Sequence, residues 1–464
     1  MSACCLLAVG TSHMEAKVAF SMGEGTSMLH VCAVVSIPYV SLWALWPLQH
    51  LASSSAGVMV AECCAVVLPF CVACLCEGST LVLMHFALAA LVLHDLFQRR
   101  GGALMTSAAD ADDAKALAQL NQERLPALTH LRAIIMLQTV FCILAVDFPL
   151  FPRHAAKTLT HGHSVMDLGV GAVVLIGALT RRRHRSPSPG EAAERPLQRR
   201  SSQLVRVVSR HAPLVLVGLA RVLAVRATAY HEVHSEYGTH WNFFFTLAGV
   251  ALALEAMRPP TARAAFGMGA CVLVAHQAAL LGGLAEYVIH APRVGLVSAN
   301  KEGLVSLAGY LGLALVGSAM AEALTPCTST RAWRARLGWL GALDGLLWAA
   351  AAAADSLVQP TSRRLCNLAY VLWVLAQVVF TLCLCLACNL KRPGLRSALL
   401  ESINRHPLTV FLLANILTGL VNLTLPTLEA EPCTAVGILS AYTGIVCAAA
   451  TALARRRESA NSPN

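Results

Sequence analysis

Charge is what this 464-residue sequence most lacks: 13% of its residues are Asp, Glu, Lys or Arg, against 56% apolar. A soluble domain carries roughly 25% charged residues, so the deficit excludes an ordinary water-soluble enzyme. It excludes a disordered chain more firmly still. No short-period repeat is visible, and no paired cysteine motif with histidine partners of the kind that builds a zinc site. The lone C-x-x-C of Cys71 and Cys74 falls inside an apolar run. Most of the 17 cysteines, Cys63, Cys64 and Cys76 among them, sit in such runs and read as small buried apolar side chains rather than a disulfide scaffold. Met1–Gly10 lacks the basic and apolar regions of a cleavable signal, so insertion is expected to depend on the first span. Neither end carries a familiar lipidation or retrieval signal. No polar stretch exceeds about 30 residues, too few for a separate soluble domain.

What the chain has is apolar length. A membrane helix needs about 20 mostly apolar residues, and thirteen such runs stand at roughly 29–48, 56–76, 78–97, 130–146, 164–180, 212–227, 241–257, 264–290, 303–324, 337–353, 365–388, 407–424 and 434–454. The expectation is an all-α, polytopic transmembrane helical bundle of about thirteen spans, a single integral membrane domain over 1–464. The net charge of +10 does not form a polyanion footprint. Loops after odd-numbered spans hold 25 Lys and Arg and the opposite loops hold 7, which puts the N-terminus in the lumen and the C-terminal tail, 455–464, in the cytosol. No nucleic-acid partner follows from this pattern. The basic cytosolic loop 181–210, with its RRRHRSPSPGEAAERPLQRR, has the composition of a flexible linker.

Unusual polar residues collect on the lumenal side. The loop after the fourth span carries Asp147 at the membrane edge, then Arg153, His154, Lys157, His161, His163 and Asp167. The next lumenal loop, YHEVHSEYGTHWNFF, carries His231, Glu232, His234, Glu236, Tyr237, His240, Trp241 and Asn242. Two loops this rich in ionisable groups at one membrane face make a reaction chamber, since charge near hydrocarbon is expensive and defaults to function. Asp147 and Lys157 form the candidate pair: a carboxylate can take a hydroxyl proton and an ammonium can stabilise an oxyanion. A salt bridge holding the loop against the bundle accounts for the same spacing. Asp167 reads equally as a charge favoured by a helix dipole. His231, His234 and His240 resemble ligand spacing, but H-x-x-H here lacks a zincin's interleaved Glu, so no metal is expected. An aromatic belt accounts for Trp241 and Phe243–Phe245, yet EYGTHWN is unusually polar for an anchor. Glu236, Tyr237, His240, Trp241, Asn242 and His231 therefore stand as candidate substrate contacts.

Basic residues on the disfavoured side need another explanation than orientation. Arg293, Lys301, Arg363 and Arg364 lie at the starts of the ninth and eleventh spans, with Asn300 as a candidate cap, where helix N-termini favour anions. Arg226 on the sixth span can snorkel, whereas Arg221, further in and about two turns from the lumenal end of that span, faces a cavity or a phosphate. A lipid phosphate is the expected ligand of this basic set.

At these residues the sequence resembles the glucosaminyl-phosphatidylinositol acyltransferases, the PIG-W/GWT family of glycosylphosphatidylinositol-anchor assembly. The stretches that carry the resemblance are CILAVDFPLFPRHAAKTLTHGHSVMDLGVG, SEYGTHWNFFFTL, NKEGLVSLAGYLGL, TSRRLCNLAYVLWV and NRHPLTVFLLANILTGLVNL, in the family's order, with EAKVAFSMGEGTS a degraded form of its opening segment. The resemblance implies a multi-pass endoplasmic reticulum enzyme that moves a long acyl group, typically palmitoyl, from acyl-CoA to the inositol 2-hydroxyl of glucosaminyl-phosphatidylinositol. It implies no cofactor, acyl-CoA being a co-substrate, and it maps the family's acidic and basic catalytic residues onto Asp147 and Lys157. No serine or cysteine motif signals an acyl-enzyme, so a single displacement is expected. The rivals are a polytopic lipid or solute transporter, and a CoA-dependent membrane acyltransferase acting on another sugar. Against the first, the chain shows no inverted halves.

Overall fold

The computed structural model describes residues 20, 22–52, 54–76, 78–100, 109–122, 125–181, 196–228 and 234–461. A backbone stripped of water must satisfy its own N–H and C=O groups, and helices are how an apolar chain does so. Nine helices among the described residues are long and apolar enough to cross a membrane: Met28–Leu51, Ala56–Leu75, Pro126–Ala145, Ala262–His290, Lys301–Leu324, Thr330–Leu357, Leu368–Lys391, Pro407–Thr424 and Pro432–Arg456. Three shorter apolar helices, Ser79–His94, Leu168–Leu179 and Phe243–Met257, occupy further runs. The remaining run lies inside the 33-residue helix Pro196–Thr228. A helix thus stands at every run expected from the sequence, in a multi-pass bundle.

Local chemistry fixes many of the helix starts. Ser27, Thr261, Ser329, Asn367 and Ser397 each accept a backbone N–H of the first turn on their side-chain oxygen. Pro126 and Pro407 open their helices where a missing N–H costs nothing. Helix Leu368–Lys391 is buried along most of its length and packs against Met28–Leu51, Pro126–Ala145, Leu168–Leu179 and Thr330–Leu357. The bundle is built around it.

One expectation needs correction. The 181–210 stretch is not a linker throughout, because helix Pro196–Thr228 begins inside it. Pro196 suits a first helical position, and the following LQRRSSQLVRVV has no breaker. Residues 182–195 lie outside the described residues. The all-α expectation agrees with the mostly helical chain, to which the described residues add one short strand pair. Met22–Gly23 pairs in parallel with Lys157–Thr158, and Thr26 bridges to His163. The approach at Gly23 is so close that a Cβ there would sit 1.9 Å from the Arg153 carbonyl oxygen. Arg153 closes this corner by donating to the carbonyls of Phe20, Val146, Phe148 and Phe151 at 2.5–3.1 Å. The opening segment therefore straps the loop that carries Lys157.

Helix Leu168–Leu179 has twelve residues, about 18 Å at 1.5 Å per residue. Its shortness leaves room at one end of the bundle, into which residues 146–167 fold. Loops 234–242, 291–300 and 358–367 meet them there: Gly162 N–H donates to the Thr361 carbonyl, Ser362 Oγ to the Thr160 carbonyl, and Thr239 N–H to the Ala299 carbonyl.

Candidate functional site

A cavity of about 420 Å³ opens below this loop cluster. Helices Pro126–Ala145, Leu168–Leu179, Pro196–Thr228, Phe243–Met257 and Pro407–Thr424 supply its walls, and most of the wall is apolar, with Ile135, Val173, Ile176, Phe243, Phe244 and Phe411 among the side chains. The wall runs from Leu168 to Gly177 on one helix, about 14 Å along its axis. Its charged residues on the loop side are Lys157, Arg221, Glu236 and Arg363, joined by Tyr237. An apolar slot ending in charge is a binding shape for an amphipathic chain.

The loop carrying Lys157 is held by a buried carboxylate. Asp167, fully buried, accepts on Oδ2 from Thr158 N–H at 3.2 Å, Thr158 Oγ1 at 2.9 Å and Ser164 Oγ at 2.9 Å. Its Oδ1 accepts from Arg363 Nε at 2.7 Å. Asp167 occupies the N-cap position of helix Leu168–Leu179 but makes no side-chain cap there, so its partner is a guanidinium more than a dipole. Burial alone would push the Arg363 guanidinium down; Asp167, then Glu236, outweighs it, and the net direction is upward, keeping the charge fixed.

Lys157 donates to Glu236 Oε1 at 2.6 Å, with 30% and 16% of the two side chains exposed. Burial alone would raise the Glu236 carboxyl; Lys157, then Arg363 and Arg221, reverse this and hold it below the ordinary carboxylate value. Around one carboxylate on the wall stand three cations. The site is poised for a further negative group.

Of the residues expected from sequence, Lys157, Arg221, Glu236, Tyr237 and Arg363 are brought together on the cavity wall. Asp147 is not on that wall, and Lys157 takes Glu236 rather than Asp147 as its ionic partner. Asp147 Oδ2 accepts from Asn422 Nδ2 at 2.8 Å. It lies one helical turn past the wall residue Ile143, about 6 Å along that chain direction. Asn422 likewise stands two turns past the wall residue Asn415. Asp147 therefore lies beyond the loop-side end of the cavity.

A second group of candidates shapes the loop instead of the wall. Asn242 caps helix Phe243–Met257 by accepting from Phe244 and Phe245 N–H, and donates to the Gly218 carbonyl at 2.9 Å, tying in the helix of Arg221. Trp241 Nε1 donates to Thr246 Oγ1 at 3.0 Å. His240 N–H donates to Asn300 Oδ1 at 2.8 Å. Asn300 is at an N-cap position, but its side chain serves this loop and the Leu296 carbonyl rather than its own helix. The fit is tight at Gly303, where a Cβ would lie 2.3 Å from Trp241 Cδ1 and 2.7 Å from the Tyr237 carbonyl oxygen. Gly303→Ala is expected to push out the Glu236–Tyr237 turn and lower the melting temperature of the purified protein; a melting temperature equal to the wild type's would refute the clamp.

The third group is taken up by a carboxylate that sequence reasoning passed over. Glu302, fully buried, accepts from Arg293 at 2.5 Å and Arg364 at 2.7 Å. Lys301 donates to the carbonyls of Tyr287 and Ala291, at the end of the neighbouring helix. None of Arg293, Lys301 and Arg364 is on the cavity wall. A glutamate adjacent to Lys301 was the available signal, unreadable without knowing that Arg293 and Arg364 converge on it. His231 lies outside the described residues. Among the described residues no group of three or more His, Cys, Asp or Glu could hold a metal ion.

The GWT1 family model matches residues 13–453 of the chain. A phosphatidylinositol-glycan biosynthesis class W protein of Dictyostelium discoideum is 33% identical over 71% of this chain and 74% of its own length. A GPI-anchored wall transfer protein 1 of Aspergillus fumigatus is 32% identical over 94% of this chain and 96% of its own length. An uncharacterized protein of Arabidopsis thaliana is 38% identical over 67% of this chain and 69% of its own.

Proposed function

The chain belongs to the GWT1 family, and from that premise we propose that it works in GPI-anchor biosynthesis as an inositol acyltransferase. The reaction moves a long-chain acyl group, palmitoyl in the first instance, from acyl-CoA to the inositol 2-hydroxyl of glucosaminyl-phosphatidylinositol. The setting is the endoplasmic reticulum membrane, with thirteen crossings, a lumenal N-terminus and the site end facing the lumen. One observation carries the reading: the apolar cavity ends on a cluster of three cations and one carboxylate. The apolar body suits an acyl chain, each buried methylene contributing about 0.8 kcal/mol. The cations Arg221 and Arg363 suit the acceptor's phosphodiester.

The step is a single displacement. Asp147 takes the proton of the inositol hydroxyl, whose oxygen attacks the thioester carbon. The C–O bond forms, the C–S bond breaks, and the thiolate leaves and is protonated. Lys157 stabilises the oxyanion that develops between. Asp147 sits beyond the cavity's loop-side end, so the acceptor ring must lie over that end, between Asp147 and Lys157. A general base contributes typically 10²–10⁴-fold. Asp147→Asn, which keeps an oxygen for the Asn422 amide, is expected to lower kcat at least about 100-fold. The assay is purified protein in detergent with labelled palmitoyl-CoA and the glycolipid, scored by resistance of the product to phosphatidylinositol-specific phospholipase C. Near-normal turnover in the variant rejects Asp147 as base; no acylation by the wild type rejects the activity. A transporter would fail this assay, since no gradient exists in detergent.

A further inference from the structure

We propose that Gly177, together with a polar floor at the far end of the cavity, sets the longest acyl chain the donor can carry. This rests on the acyl-transfer reading above and adds to it the residues that measure the chain. The loop end of the cavity holds the end of helix Pro126–Ala145 and the start of Leu168–Leu179, so their other termini mark the far end. The wall residues nearest that end are Arg132, Gly177, Leu214, Thr381, Ile403 and Asn404. From Ile143 down to Arg132, on one helix, the wall runs about 16 Å. An apolar chain entering from the charged loop end thus meets a guanidinium, a hydroxyl and an amide at the bottom. A methyl end pushed among them would take away their water and offer no hydrogen bond in return. The chain stops there.

A floor that measures length must also be rigid. Ile403 and Asn404 ride on the short helix Ala398–Arg405, whose Ala398 and Leu399 N–H groups donate to Glu62 at 2.9 and 2.8 Å. Glu62 is buried and also accepts from Gln49 Nε2 at 2.8 Å, so a carboxylate from a distant helix pins the start of this one. Above the floor, Gly177 decides how much room is left. Val170, Val173 and Gly177 stand at i, i+3 and i+7 on one helix face, and all three line the cavity. Two of these positions carry a branched side chain; the last is empty, and a Cβ there would meet nothing within 4 Å. Each methylene laid against apolar wall adds about fourfold to the affinity for the donor. The gain ends where the chain reaches the floor.

The test offers purified full-length protein the glycolipid acceptor with lauroyl-, myristoyl-, palmitoyl-, stearoyl- and arachidoyl-CoA in turn. In the wild type kcat/KM is expected to rise with chain length to a ceiling and to fall beyond it. Gly177→Leu fills the empty position, and in a close-packed slot its side chain displaces about its own volume of acyl chain, or about two to four carbons. It is expected to lower kcat/KM by about tenfold or more with palmitoyl-CoA and by less than about threefold with lauroyl-CoA. Leu suits a helix better than Gly does, so the fold should tolerate it. Leu214→Ala, which deepens the same end, is expected to raise the ratio of stearoyl to palmitoyl by about threefold or more, and it decides the matter should Gly177→Leu fail to fold. A general structural defect lowers all donors alike and leaves these ratios standing. Wild-type rates that do not fall up to arachidoyl-CoA, or a palmitoyl-to-lauroyl ratio in Gly177→Leu equal to the wild type's, overturn the assignment while acyl transfer stands. Wild-type protein that transfers no acyl group from any donor overturns both.

Discussion

Lys157→Met is expected to remove acyl transfer almost completely, lowering kcat by about 10³-fold with a much smaller change in KM. Removing one donor to a developing oxyanion costs about 10²–10³-fold, and an interaction made only in the transition state acts on kcat. Loss of the ammonium also leaves Glu236 facing the cavity beside Arg221 and Arg363, which still compensate its charge. The protein should therefore remain folded and extractable. Lys157→Arg keeps the pairing with Glu236 but places a broad planar guanidinium where a compact ammonium stood; it should fold as the wild type does and recover only a small part of the rate. Turnover within about threefold of wild type in both variants would remove Lys157 from the chemistry.

The second large effect is on stability. Asp167→Leu strands Arg363, whose side chain is 4% exposed, without its carboxylate, and strips the acceptor from Thr158 and Ser164. Breaking a buried ion pair by removing one partner costs about 3–5 kcal/mol, because the other charge stays buried and unpaired. The expected result is a marked drop in the melting temperature of detergent-purified protein, or loss of monodisperse protein altogether. Asp167→Leu combined with Arg363→Met should recover much of the stability, since neither charge is then left alone, while activity stays low for want of Arg363 on the wall. A single variant as stable as the wild type would mean that the pair does not hold the Lys157 loop.

These two expectations depend on different depths of reading. Lys157 stood out in the sequence because it shares with Asp147 a loop crowded with ionisable groups, and because the resemblance maps the family's basic catalytic residue onto it. Asp167 was visible too, but only as a charge before a helix; its engagement with Arg363, nearly 200 residues away, is a fact of packing. The same holds for Arg293 and Arg364. Sequence placed them at helix starts, where a phosphate was the natural partner, and folding gave them Glu302 instead.

What the amino-acid sequence determined by itself is the membrane bundle, its thirteen helical runs and the end where polar loops gather, because apolar length and charge placement act locally and solvent reads them directly. Family membership was also within its reach, carried by long stretches rather than by any single residue. Only the tertiary structure decided partnership: that Lys157 meets Glu236 while Asp147 meets Asn422, that a two-residue strand pair straps the Lys157 loop, and that His240, Trp241, Asn242 and Asn300 brace the turn they were expected to share as ligands. Ion pairs and hydrogen bonds act over a few ångströms, and which groups come that close depends on how helices distant in sequence pack.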